Sequence, residues 1–134
     1  MGNSKILVVD DESDMRIYLS TVVETMGFEP IVAKDGTEAL EKARSVPPAL
    51  VILDVMMPNI EDGLRTYQRF REDERLGATP IIMVSAIARK TFLYSIRMLK
   101  PMSGNQLPEP EAYMEKPPDA VELNRLIAEL MPGG

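Results

Sequence analysis

Three acids, a hydroxyl and an amine each follow an apolar run in this chain. Asp10 and Asp11 come after Lys5-Ile-Leu-Val-Val9, and Asp54 after Leu50-Val-Ile-Leu53. Ser85 follows Pro80-Ile-Ile-Met-Val84, and Lys116 follows Ala112-Tyr-Met-Glu115. Short apolar runs of this kind read as strands buried on both faces, as in a parallel sheet. The carboxyl ends of parallel strands share one edge, where ligands bind in open α/β sheets. The five residues would then meet in one cleft. Two unit charges ~4 Å apart repel by about 4 kcal/mol at an effective dielectric of about 20. Without compensation, one of three such acids would keep its proton. A hard divalent cation removes the conflict, because Mg2+ takes oxygen ligands from a couple of carboxylates and keeps several waters. Lys116 offers a point charge for phosphate oxygens, and Ser85 an adjustable donor. An ionised carboxylate beside such a metal can accept a phosphoryl group, with electrostatic stabilisation of the transfer. Singly, each residue has a plainer explanation: Asp10-Asp11 as a helix cap, Ser85 as a turn residue, Lys116 as surface. The coincidence of all five at strand ends favours an aspartyl-phosphate site.

Composition narrows the chemistry further. The 134 residues fit one domain with a core, and 45% hydrophobic with 27% charged residues is ordinary for a globular protein. Cysteine and histidine are both absent, which excludes disulfides, thiolate or Ser-His catalysis, imidazole ligands and a phosphohistidine on the chain itself. A formal net charge of −6 argues against DNA or an anionic membrane as partner, since both want clustered Lys and Arg. No apolar run is long enough to span a bilayer, and no signal peptide is visible at the start. The expected location is cytoplasmic.

The elements that must position these residues alternate regularly. After the first strand, Met15, Tyr18, Leu19, Val22, Val23 and Met26 form a helical stripe; Ser13 or Asp11 is the expected cap and Gly27 the stop. Phe28 to Ala33 reads as a strand, with Pro30 marking an edge. Thr37 opens a helix that turns Ala39, Leu40 and Ala43 inward. Beyond Asp54, Pro58 to Gly63 reads as a loop and Asp62 to Leu76 as a helix with Leu64, Tyr67 and Phe70 inward. Arg69, Arg71, Glu72, Asp73, Glu74 and Arg75 read as its solvated face. Ala88 to Leu99 is the next helix and Lys100 to Glu111 a proline-rich loop. Asp119 caps a last helix with Val121, Leu123, Leu126, Ile127 and Leu130 inward. Strands alternating with helices at this spacing predict a parallel sheet with helices on both faces.

From Ile6 to about Met131 the sequence resembles the receiver domain of two-component response regulators. Val8-Val9-Asp10-Asp11-Glu12 is similar to the family's acidic pair, Asp54 with Met57-Pro58 to its phospho-acceptor and following turn, and Ser85-Ala86 to its switch hydroxyl. Tyr113 matches the switch aromatic, and Lys116-Pro117 the lysine and a peptide bond that is usually cis. The resemblance implies a flavodoxin-like, doubly wound five-stranded parallel sheet in order 2-1-3-4-5 with five helices. It implies a single stand-alone receiver domain over residues 1–134, with its core at about 5–131. It also implies roles. Asp54 takes a phosphoryl group from a histidine kinase or histidine phosphotransfer protein. Asp11, Asp54 and the Met56 backbone carbonyl bind Mg2+, with Asp10 mostly through water. Lys116 and Ser85 hold phosphoryl oxygens. Movement of Ser85 lets Tyr113 turn inward and changes the surface of the fourth helix, fifth strand and fifth helix. That surface is the expected site for an unnamed output protein or a homodimer. Met56 and Ile87 flank the path of the hydrolysing water; both are bulky and apolar, so the expectation is a long-lived phosphoryl state and no enzymatic turnover.

Two departures from the family pattern stand out. The stretch from Pro58 to Gly63 carries one extra residue. Between Ser85 and Lys116 there are roughly nine more residues than usual, all within an extended loop at about 100–111, and lengthening a surface loop costs little. Pro101 to Pro110 is therefore either a tolerated insertion or a partner-specific element. Two other functions compete: a receiver-like interaction module without phosphorylation, and a Mg2+-dependent phosphohydrolase with an aspartyl nucleophile. The latter wants a second Asp where Met56 stands.

Overall fold

A computed structural model describes residues 4–99 and 106–131. In chain order the elements are β1 (Lys5–Val9), α1 (Ser13–Thr25), β2 (Glu29–Ala33), α2 (Gly36–Ser45), β3 (Leu50–Leu53) and α3 (Ile60–Glu72). They continue with β4 (Ile81–Ser85), α4 (Arg89–Met98), β5 (Ala112–Glu115) and α5 (Ala120–Leu130). The five strands form one sheet in the order β2-β1-β3-β4-β5, every pair parallel. This is the expected doubly wound order. Pro30 lies in β2, at the sheet's edge, where its missing N–H does least harm.

The three inner strands are buried on both faces, which is why they read as unbroken apolar runs. Their side chains alternate between two cores. Leu7, Val9, Val51, Leu53, Ile81 and Met83 face α2, α3 and α4, where Ala39, Leu40, Tyr67, Phe70 and Phe92 meet them. Ile6, Val8, Leu50, Ile52, Ile82 and Val84 face α1 and α5, against Leu19, Val23, Leu123 and Ile127. Register then fixes the cleft. Val9 pairs with Leu53, so Asp10 and Asp54 leave adjacent strands side by side. Ser85 pairs with Glu115, so Lys116 follows directly beside it.

Several local expectations need correction. The cap of α1 is Glu12, without a side-chain cap bond; the carboxylate of Asp10 instead accepts the Glu12 N–H, and the acids here are drawn into the cleft. Helix α3 starts at Ile60, capped by Asn59 accepting from Asp62 N, so Gly63 lies inside the helix and not in a loop. A Cβ on Gly63 would stand 1.6 Å from the Val55 carbonyl oxygen, so glycine is what lets α3 approach the chain just past Asp54. The helix ends at Glu72 and not Leu76, because Asp73 accepts from Arg75 N and Leu76 N and turns the chain. Val121 is 76% exposed; it sits about 200° round the helix from Leu123. Tyr18 is also exposed, but its hydroxyl donates to Pro118 O at 3.0 Å, tying α1 to the turn before α5.

The largest correction concerns Arg71. It was read as part of a solvated face, yet its side chain is only 3% exposed. Residues 106–111 form a largely exposed loop, as expected. The expectation for residues 100–105 lies outside the described residues. Within the 106–111 loop, however, Leu107 is buried in the same core as Tyr67 and Phe92. Among the described residues no helix is long and apolar enough to cross a membrane.

Candidate functional site

The cleft at the carboxyl edge brings together all five residues singled out above. Asp10 and Asp54 are buried at the ends of β1 and β3. Asp54 Oδ1 accepts from Met56 N at 2.9 Å, which orients the carboxylate. Its Oδ2 accepts from Lys116 Nζ at 3.0 Å. The same ammonium lies 3.0 Å from Asp10 Oδ2 and 3.0 Å from Glu12 Oε1. Backbone bonds place the lysine, since Lys116 N donates to Ser85 O at 2.8 Å. The Lys116–Pro117 peptide bond is cis, as is Met57–Pro58. Asp10 is braced from behind by Arg16, whose guanidinium donates to its backbone carbonyl at 2.8 Å.

Charge is poorly balanced here. Carboxylate oxygens of Asp10, Asp11, Glu12 and Asp54 all lie within 4.8 Å of one another, and one ammonium faces them. Burial pushes the Asp10 carboxyl above its usual range; the Glu12 N–H and Lys116 pull it back, and the charge of Asp54 adds to the rise. Burial alone would lower the Lys116 amine, but its contacts with the carboxylates of Asp54, Asp10 and Glu12 outweigh that and hold the ammonium charged well above the usual lysine range. Asp10 Oδ2, although in ion-pair contact with Lys116, is buried with no hydrogen bond. An oxygen-only donor set with one buried orphaned oxygen and excess negative charge suits a hard divalent cation. Asp10, Asp11, Glu12 and Asp54 are the residues able to hold it.

The neighbouring groups sit at the mouth of this cleft. Ser85 is fully buried at the end of β4, with Oγ 3.4 Å from Ile87 N. Tyr113 is turned inward, its hydroxyl donating to Ile87 O at 2.6 Å. Burial pushes its phenol up to about 12, against the pull of the Ser85 hydroxyl. Met56 and Ile87 are half-buried.

Three contributors were not found from the sequence. Glu12 shares Lys116 with the deeper acids, a role hinted at only by its adjacency to Asp11. Phe92 fills the space between Tyr113 and Tyr67, with ring centroids 5.5 and 5.6 Å away. Arg71 lies seven residues after Leu64 and four after Tyr67, on the inward stripe of α3; that spacing was the available signal, and its charge hid it.

Comparison with known proteins agrees with this geometry. Residues 6–102 match the response regulator receiver domain, a match that stops short of Tyr113 and Lys116. The alkaline phosphatase synthesis transcriptional regulatory protein PhoP of Bacillus subtilis is 42% identical over 84 residues, 63% of this chain and 34% of that protein. The chain thus spans about a third of the length of such transcriptional regulators. The polar-differentiation response regulator DivK of Brucella ovis is 34% identical over 90 residues, 67% of this chain and 72% of that protein. The chemotaxis protein CheY4 of Vibrio cholerae has the same fold, with a TM-score of 0.78 at 24% identity over 97% of this chain and 100% of that one.

Proposed function

The chain belongs to the response regulator receiver domain family of two-component signalling, and we propose that it is a phosphoryl-accepting switch with Asp54 as its acceptor. The observation that carries this reading is the contact of Lys116 Nζ with Asp54 and Asp10 at 3.0 Å, inside a cluster of four carboxylates. The donor is a phosphohistidine on a histidine kinase or phosphotransfer protein. One carboxylate oxygen of Asp54 forms a bond to phosphorus as the P–N bond to the donor imidazole breaks, and that bonding pair returns to the nitrogen.

The chain's own residues then divide the work. Met56 N fixes the rotamer of Asp54 through the bond to Oδ1. Lys116, already beside Oδ2, neutralises charge on the incoming phosphoryl oxygens. Ser85 stands ready to donate to one of them. Mg2+, when bound, screens the acids and the phosphoryl oxygens from one another; Asp11, Asp54 and the Met56 carbonyl are its proposed ligands, with Asp10 acting mostly through water and Glu12 at the rim. The output is a change of surface on α4, β5 and α5, relayed by Ser85 and Tyr113, that binds a protein partner or a second copy of the chain.

Incubation with acetyl phosphate and Mg2+, read by intact mass, tests the acceptor. Wild type gains one phosphoryl group and Asp54→Asn gains none; equal labelling of both would refute the assignment. Removing the donor and following the mass tests a second point. The side chains of Met56 and Ile87 cannot orient a water molecule, so the phosphoryl group persists for minutes or longer. Loss within seconds would contradict that role for them.

A further inference from the structure

The contacts of Tyr113 run from Ile87, two residues past Ser85, away into the core. Tyr113 packs on Phe92 with ring centroids 5.5 Å apart and planes tilted by 38°. Phe92 in turn meets Tyr67 edge-on, at 5.6 Å and 82°. Phe92 and Tyr67 are both fully buried, and close-packed interiors shift between discrete arrangements more readily than they deform. The far end of Tyr67 is polar. Its hydroxyl donates to the carbonyl of Pro108 and accepts from Arg71 Nε at 3.1 Å. Arg71 continues the path to Glu111 Oε1 at 2.7 Å, and that same oxygen accepts from Ile81 N at 2.7 Å. Segment 107–111 is therefore held at four points: Leu107 in the core, Pro108 on Tyr67, Glu109 on Arg89 of α4, and Glu111 on Arg71 and β4. It leads within two residues to Tyr113.

We propose that residues 107–111 form a strap whose docking is coupled, through Tyr67 and Phe92, to the inward position of Tyr113, making the strap a second output of the same switch. Tyr67 and Arg71 are positioning residues in this device and touch no reacting atom. With Tyr113 inward, Phe92 is packed on both sides and Tyr67 is held where its hydroxyl meets Pro108. With Tyr113 outward, Phe92 loses one neighbour, and its edge contact with Tyr67 no longer fixes that hydroxyl. Coupling of this kind is reciprocal: a docked strap favours the inward Tyr113, and so favours the loaded state of Asp54. The proposal rests on the phosphoryl-acceptor reading above and adds which part of the chain responds.

Hydrogen–deuterium exchange of the full chain reads the strap through the amides of Leu107, Glu109 and Glu111, since residues 108 and 110 are prolines without an N–H. With acetyl phosphate and Mg2+, and with intact mass confirming a loaded Asp54, these three amides exchange about fivefold more slowly or better, the scale of ordinary coupling. Tyr67→Phe keeps the ring and removes only the hydroxyl. In that variant the strap exchanges faster and no longer responds to loading, while Asp54 still takes the phosphoryl group. A merely structural role for Tyr67 would raise exchange in both states and leave the response intact, and that outcome overturns the proposal. Unchanged exchange in loaded wild type overturns it as well. If Asp54 takes no phosphoryl group, the acceptor reading fails on its own. Tyr113→Ala without donor then decides the coupling: faster exchange across 107–111 upholds it, and unchanged exchange overturns it.

Discussion

Two buried charged groups, Arg71 beside the residues that lead into β4 and Asp10 just past the carboxyl end of β1, lie at opposite ends of the strands and are treated in opposite ways. Arg71 is complete. Its guanidinium bonds to Glu111, Tyr67, Thr79 O and Gly77 O, and stands 5.2 Å from the centre of the Tyr67 ring. Burial alone would weaken its charge, but the Glu111 carboxylate and Tyr67 hydroxyl hold the guanidinium ionised more firmly than usual. Asp10 is incomplete. One of its oxygens has no hydrogen bond, its pKa is raised by burial, and three more carboxylates crowd it with a single ammonium among them. A buried charge with every partner present locks a local structure, whereas one left short of partners keeps a place for a ligand. The contrast separates the part of the molecule that holds the strap from the part proposed to take a cation and a phosphoryl group.

Breaking the complete cluster should cost the most. Arg71→Leu strips Glu111, Tyr67 and two carbonyls of their donor at once, and removal of one partner from a buried pair costs about 3–5 kcal/mol. Glu111 keeps some access to water, so the loss should fall near the lower end, about 3 kcal/mol. Urea denaturation measures it as a lower midpoint. The incomplete cluster should respond with the opposite sign. Asp10→Asn should stabilise the metal-free protein by about 1–2 kcal/mol, the scale of one unsatisfied buried group. A carboxyl with a raised folded pKa binds its proton more tightly in the folded state. Metal-free stability should therefore rise as pH falls through the folded Asp10 pKa toward the ordinary value of 3.8. The Asn variant should lose that part of the slope, and thermal melts across this window in both proteins would detect it. A destabilised Asp10→Asn would mean that the acid is satisfied after all.

The same contrast explains what could be read from the sequence. Inner strands announce themselves because burial on both faces demands unbroken apolar runs such as Leu50–Leu53. Asp10, Asp11, Asp54, Ser85 and Lys116 were legible because parallel topology sends every strand end to one edge, whatever the packing details. Arg71 was not legible, because its partners at Gly77, Thr79 and Glu111 come together only through the turn capped by Asp73 and the path of the strap. Gly63 misled for a related reason. Glycine usually marks a turn, but here it serves the close approach of α3 to Val55, a tertiary contact that local pattern does not carry. The lengthened segment before β5 gave a loop composition, and nothing local in Leu107 or Pro108 signals that one is buried and the other is gripped by Tyr67.

The proposed role of the acid cleft is that of a charge-incomplete site completed by a divalent cation. The direct measurement is the melting temperature of the phosphate-free protein titrated with Mg2+ at constant ionic strength. A ligand that binds only the folded state stabilises it by about 2.7 kcal/mol at a hundredfold excess over its Kd. A saturable rise is expected in wild type and in Arg71→Leu, from whatever baseline each starts, and little or none in Asp54→Asn or Asp11→Asn. A flat response in wild type, or an equal rise in all four proteins, would contradict it.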